Sequence, residues 1–166
     1  ALSIFMLSLV SANAKFDSVV YYQNATFTQL EQQGYEIFQR ACQNCHTPPL
    51  FTSLVYKRNG LKRYNNDLGR MEVTLDPADS FAFRIPSLRN ISYTAPYMHD
   101  GRFLNIDGVL DHYQFLRINY QDADTGLYQN NQWGIVLTNE ERQALKAFLK
   151  TLDDVSFIKN KHFSNE

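Results

Sequence analysis

The chain has 166 residues, a length that predicts a single domain. Hydrophobic residues make up 44% and charged residues 20%, which is a globular composition and excludes disorder. The formal net charge is −1 and the 16 Lys and Arg are scattered, so no basic field recruits nucleic acid. No apolar run reaches the roughly 18 residues that a membrane-crossing helix needs.

Aromatic residues are abundant, with 12 Phe and 10 Tyr against one Trp. That much ring surface suits either packing around a large flat group or a plain aromatic core.

Residues 2–10 are apolar and precede Ala12-Asn13-Ala14, which fits the small-x-small pattern of a signal cleavage site. A second reading comes from an internal repeat. Ala1-Leu2-x-x-Phe5-x-x-x-Leu9 recurs as Ala144-Leu145-x-x-Phe148-x-x-x-Leu152. Repeated amphipathic helices point to repeated domains, with residues 1–10 as the last helix of a preceding one. The repeat is the preferred reading. Residues 11–27 read as a linker of mixed polarity.

Thr28-x-x-Glu31 is a capping box and opens a helix expected over 29–41. Leu30, Tyr35, Ile37, Phe38 and Ala41 are expected mostly inward. Gly34 costs that helix about 1 kcal/mol against Ala, which points to close packing against a helix or a cofactor. Residues 50–90 hold no long periodic pattern. They carry turn signals at Asn59-Gly60, Asn65-Asn66-Asp67, Leu68-Gly69 and Asp76-Pro77. A loop of that length is functional or wrapped on something rigid. A helix is expected over 106–118, with Ile106, Val109, Leu110 and Tyr113 on one side, and a loop over 119–136. A second capping box, Thr138-x-x-Glu141, opens a last helix to about 152, with Leu145, Phe148, Leu149 and Leu152 inward.

The two cysteines fall in Cys42-Gln43-Asn44-Cys45-His46. Cys-x-x-Cys-His is the attachment signal of c-type haem. Two thiols add across the two vinyl groups, and the adjacent His46 reaches iron as the proximal ligand. A thioredoxin-like pair would follow a strand and open a helix, whereas a helix precedes this motif. A zinc site would need further ligands. Met71, Met98, His99, His112 and Tyr113 are the candidates by type for a sixth iron ligand. A Met ligand raises the potential and suits electron transfer, whereas Tyr favours ferric and higher-valent iron.

The middle of the chain carries more specific patterns. Phe83-Arg84-Ile85-Pro86-Ser87-Leu88-Arg89-Asn90-Ile91 and Thr94-Ala95-Pro96-Tyr97-Met98-His99-Asp100-Gly101-Arg102-Phe103 lead them. Pro49-Leu50-Phe51-Thr52, Asp67-x-Gly69-Arg70, Val109-Leu110-Asp111-His112-Tyr113 and Ala147-Phe148-Leu149-Lys150-Thr151-Leu152 add to them. Together they resemble the carboxy-terminal haem domain of bacterial dihaem cytochrome c peroxidases and their MauG-type relatives, over essentially the whole chain.

The resemblance implies an all-α, cytochrome c-like haem domain with long loops over 26–166. Residues 1–25 would be the end of a preceding haem domain plus linker. Ser8-Leu9-Val10-Ser11-Ala12-Asn13 resembles the junction between the two domains. The implied function is a periplasmic oxidoreductase that reduces hydrogen peroxide at the other haem. Electrons come from a small cytochrome c or cupredoxin, or from a protein substrate. The resemblance also implies a calcium ion between the domains, held in part by the backbone carbonyls of Thr94 and Pro96. His99 and Arg102 either brace their loop or contact a haem propionate. Gap-free alignment puts the distal ligand of this haem on Tyr113, as in the MauG branch, with Met98 as the alternative. The family tends to form homodimers. Two competing functions are a secreted mono-haem electron carrier and a haem-binding module without turnover. An upstream second Cys-x-x-Cys-His distinguishes the dihaem enzyme from both.

Overall fold

A computed structural model describes residues 2–62, 67–116, 123–129 and 131–163. Ala1 of the repeat, the Asn65-Asn66 turn signal and residues 117–122 and 130 of the expected helix end and loop lie outside the described residues. The described chain is mostly helical, as expected, and its strands are two residues long.

Among the described residues seven α-helices follow in order: α1 Leu2–Ser8, α2 Lys15–Val20, α3 Gln29–Ala41, α4 Met71–Thr74, α5 Ile106–Phe115, α6 Asn139–Lys150 and α7 Val155–Ile158. Strand β1, Tyr56–Lys57, pairs antiparallel with β2, Phe83–Arg84, and β3, Tyr128–Gln129, pairs with β4, Gln132–Trp133.

Both capping boxes form. Glu31 N–H donates to Thr28 Oγ1 at 3.3 Å, and Thr28 N–H donates back to Glu31 Oε2 at 2.7 Å. Thr138 and Glu141 repeat the exchange at 3.2 and 2.9 Å. Four orphan amide donors are satisfied at the starts of the two helices that form the core.

Helices α3 and α6 pack against each other, and Gly34 is why they approach so closely. A β-carbon there would overlap the Ala144 carbonyl oxygen and lie 2.8 Å from Phe148 Cβ. Arg40 of α3 and Glu141 of α6 form an ion pair at 2.7 Å over the exposed side. Ile37, Phe38, Leu145, Phe148 and Leu149 fill the buried side. Leu30 departs from its expected inward place and is 46% exposed, because it lies in the first turn, outside the stripe that faces α6.

The aromatic surplus serves a plain core. Phe16, Phe38, Phe51 and Phe148 are fully buried, and Tyr35 stacks on Phe148 at 5.1 Å. Phe16 meets Phe51 edge-on at 4.8 Å. Phe16 belongs to α2, which falls inside the segment expected to be a linker. That segment is instead tied into the domain. Phe16 N–H donates to Thr151 O at 2.9 Å, and Asn13 N–H donates to the buried Asp154 at 2.9 Å. A short amphipathic turn with one buried ring leaves little periodic trace, so its polar residues read as linker.

Asp17, also in α2, accepts two bonds from the Arg89 guanidinium at 2.9 and 2.7 Å, and both side chains are nearly fully buried. Arg89 Nε donates to Pro49 O at 2.8 Å. The planar fork of the guanidinium suits such a two-pronged carboxylate contact. Helix α1 forms as the repeat predicts, yet buries none of its residues.

Candidate haem site

Helix α3 ends at Cys42, its C-cap, and the chain turns back at once. Cys45 N–H and His46 N–H both donate to Cys42 O, at 3.1 and 3.0 Å. This turn brings Cys42, Cys45 and His46 to the wall of one cavity of about 570 Å³. Its other walls are largely apolar and include Ile85, Leu88, Val109, Leu110, Leu145 and Leu149. Protein interiors hold few voids larger than a water molecule, so an apolar space of this size is built for an occupant.

The electrostatics of the motif are not those of a reactive redox pair. Burial pushes the Cys42 thiol up to about 12, with Cys45 adding and Arg40 opposing. Cys45 is raised as well, chiefly by burial. Reactive redox cysteines sit at helix N-termini with lowered values, whereas Cys42 caps a helix C-terminus. No group of three or more His, Cys, Asp or Glu that could hold a metal ion comes together among the described residues.

His46 is prepared as a ligand. Its Nδ1 lies 3.0 Å from Phe51 O. A carbonyl only accepts, so Nδ1 holds the proton and Nε2 carries the lone pair. Burial lowers the pKa of His46, opposed by the Phe51 and Pro86 carbonyls, and keeps the imidazole neutral. A metal needs that neutral form.

The sixth-ligand candidates separate in space. Tyr113, Met98 and His99 line the cavity, whereas Met71 does not. His112 is committed elsewhere, because its Nε2 donates to Asn59 O at 2.8 Å. Tyr113 and His112 are neighbours on α5, so they project on different sides. Burial raises the Tyr113 pKa, the two nearby thiols add to this, and the Asn59 side chain opposes it by hydrogen bonding to the phenol.

His99 and Arg102 part company. Arg102 donates from Nε to Asp100 at 2.8 Å and to Lys62 O at 2.9 Å, contacts of the kind that brace a loop. Both His99 ring nitrogens are buried with no hydrogen-bond partner among the described residues, and the ring stacks on Phe83 at 3.8 Å. Leaving such a group unpaired costs about 1–3 kcal/mol. The cavity it borders therefore suits an occupant that offers polar groups at its edge. Thr94 and Pro96 also border the cavity.

Sequence reasoning missed Asn59, which stood only as half of a turn signal. Its side chain borders the cavity and contacts Met98, with Nδ2 3.4 Å from the sulfur. No local pattern marks it, because every partner except Leu61 is remote along the chain. The thiols, the neutral His46, the apolar walls and the unpaired His99 together fit a covalently held haem.

No family model matches the chain. Cytochrome-c peroxidase IdrP2 of Denitromonas iodatirespirans is 32% identical over 178 residues, covering 89% of this chain and 46% of that protein. The methylamine utilization protein MauG of Methylorubrum extorquens is 33% identical over 156 residues, covering 92% of this chain and 42% of that protein. The crystal structure of a MauG-like protein associated with microbial copper homeostasis superposes with a TM-score of 0.75 at 30% identity. That match covers 93% of this chain and 52% of the other. The chain spans less than half the length of the two curated relatives. These relatives imply haem c as the cofactor.

Proposed function

We propose, for a chain homologous to the cytochrome c peroxidases and MauG proteins, that it is the electron-storing haem c domain of a dihaem oxidoreductase that reduces hydrogen peroxide. The observation that carries this reading is the convergence of Cys42, Cys45, His46 and Tyr113 on one apolar cavity. When bound, haem c supplies a one-electron couple at its iron. Cys42 and Cys45 would anchor it through thioethers, and His46 and Tyr113 would be its iron ligands. The apolar walls exclude water, and His99 pairs with an acidic group at the rim. Peroxide reduction takes two electrons and two protons to give two waters. A small cytochrome c or cupredoxin, or a protein substrate, supplies the electrons. Peroxide itself meets a second haem on residues outside this chain. Thr94 and Pro96 carbonyls contribute to a calcium site completed by that other domain. No helix among the described residues is long and apolar enough to cross a membrane. We place the protein in the periplasm, where c-type haem is attached, and expect a homodimer.

The haem-loaded chain should take up and release one electron reversibly while turning over peroxide poorly. Stopped-flow mixing with peroxide and a reduced small cytochrome c checks this. Robust turnover by this chain alone contradicts the division of labour and favours an open iron site here.

The ligand assignment has its own test. Deprotonating a buried phenol is costly, and ferric iron supplies the charge that offsets it. Tyr113→Phe should therefore change the ferric spin state and raise the reduction potential, while Met98→Leu leaves both nearly unchanged. Optical and electron paramagnetic resonance spectra with a redox titration measure the pair. The reverse result, a silent Tyr113→Phe and a Met98→Leu that abolishes the low-spin spectrum, makes the site a His/Met carrier.

A further inference from the structure

We infer that Arg58 and His99 form a carboxylate-binding subsite at the rim of the cavity, which takes an acidic side group of the haem. The inference rests on the reading of the cavity as a haem site and adds a residue to it.

The charge on the cavity wall points to an acidic occupant. The chain as a whole has a net charge of −1. Among the described residues that border the cavity, three are cationic, Lys57, Arg58 and Arg84, and one is anionic, Asp124. The wall therefore carries an excess of two positive charges. Haem carries two propionate side chains, each a carboxylate at neutral pH.

The three cations differ in what they have left to give. Lys57 is spent on Asp124, with Nζ donating to the two carboxylate oxygens at 3.0 and 2.9 Å. Arg84 is exposed, where water solvates its charge. Arg58 is half-buried, and its hydrogen bond to Asp124 runs through the backbone, Asp124 N–H donating to Arg58 O at 2.8 Å. Its guanidinium has no hydrogen-bond or ion-pair partner among the described residues. A cation partly withdrawn from water calls for an opposite charge.

His99 stands beside this stretch. The register of β1 on β2 puts Lys57 opposite Phe83, and His99 stacks on Phe83 at 3.8 Å. Asn59 Nδ2 lies 3.4 Å from the sulfur of Met98. Arg58 falls between these two contacts, so its backbone runs past residues 98 and 99. One carboxylate satisfies both unpaired groups. The planar guanidinium offers paired N–H donors that match two carboxylate oxygens, and a neutral imidazole adds one more N–H. Arg102, which the sequence put beside His99 for this role, donates to Asp100 and Lys62 O instead.

The test uses the haem-loaded chain, where attachment through Cys42 and Cys45 is independent of any rim contact. Redox titration and the propionate bending mode in resonance Raman spectra are read for Arg58→Gln, Arg58→Lys, His99→Phe, Arg84→Gln and Arg58→Gln/His99→Phe. Removing a positive charge beside the haem favours ferric iron, so Arg58→Gln is expected to lower the reduction potential and shift the propionate mode. Arg58→Lys is expected to restore the potential and leave the mode shifted, because an ammonium keeps the charge and loses the planar fork. His99→Phe keeps a ring to stack on Phe83, removes both nitrogens, and is expected to shift the same mode. The double variant is expected to shift it by less than the sum of the two, because both residues act on one carboxylate. An unshifted mode in Arg58→Gln and His99→Phe, with haem attached, overturns the subsite and leaves the haem reading standing. An equal shift in Arg84→Gln assigns the effect to the general field of the wall and also overturns it. Loss of haem from Arg58→Gln and Arg58→Lys alike makes Arg58 a residue of the fold and overturns its role. A parent chain that holds no covalent haem fails the underlying reading and takes this inference with it.

Discussion

Replacing Cys42 and Cys45 together with serine should strip the chain of covalent haem and of most of its cooperative fold. The two thiols are the only cysteines, so no substitute attachment exists. The expected fold loss follows from the cavity. At ~24 cal/mol per Å³, an empty apolar cavity of the size found here would cost roughly 14 kcal/mol, comparable to the ~5–15 kcal/mol that stabilises a whole domain. Water entering from the open side reduces that figure, but the walls it would wet are largely apolar. The occupant therefore supplies a large share of the packing, and whatever binds only the folded state stabilises it. Haem staining after denaturing electrophoresis reads attachment, and a thermal melt followed by circular dichroism reads the fold. A stained band in the double variant would contradict the attachment chemistry. A sharp, unshifted melt in unstained protein would contradict the packing argument. Single serine variants keep one thioether and should fall between.

Gly34→Ala should destabilise the chain even though Ala is the better helix former by about 1 kcal/mol. The added β-carbon lands on the Ala144 carbonyl and within 2.8 Å of Phe148 Cβ. Neither atom is the end of a flexible side chain, so α3 and α6 must move apart. Overpacking of this kind costs roughly 3 kcal/mol at the upper end of its usual range. The net loss is then about 2 kcal/mol, or a fall in Tm of roughly 4–8 °C for a chain of this length. Gln33→Ala, on the exposed side of the same helix, should be neutral or slightly stabilising. The effect reaches the site as well, because α3 delivers Cys42 and α6 supplies Leu145 and Leu149 to the cavity wall. A Gly34→Ala chain as stable as the parent would contradict the close approach.

The parts of the fold that sequence reveals are those with local, repeated signals. Thr28 with Glu31 and Thr138 with Glu141 announce two helix starts, and the apolar spacing of Leu145, Phe148, Leu149 and Leu152 gives the buried side of the second. The Cys-x-x-Cys-His motif is legible because its chemistry depends on adjacency. The 50–90 segment is not legible, because its order comes from contacts between remote residues. Thr52 Oγ1 donates to Ile85 O at 2.7 Å, Ile85 N–H donates to Val55 O at 3.0 Å, and β1 meets β2 nearby. No periodic pattern encodes such a fold-back. It nevertheless brings Asn59, Ile85 and Pro86 to the cavity. Helix α2 escaped notice for a related reason, since six residues that bury Phe16 beside a charged Asp17 are too few to carry an apolar period.

The contact among Asp17, Arg89 and the Pro49 carbonyl has a kinetic meaning. Asp17 and Arg89 are 72 residues apart, and Arg89 and Pro49 are 40 apart. Closing a flexible loop of the longer span costs roughly 4 kcal/mol of chain entropy. A desolvated pair repays that only once its surroundings are already assembled. The clasp is therefore expected to close late, after α3 and α6 have met and the intervening chain has wrapped the cavity, so that substituting Arg89 speeds unfolding in stopped-flow and leaves the folding rate unchanged. Interactions absent from the transition state slow unfolding without hastening folding. The arginine and aspartate thus act as a latch on residence time, setting how long the native domain lasts rather than how fast it arrives.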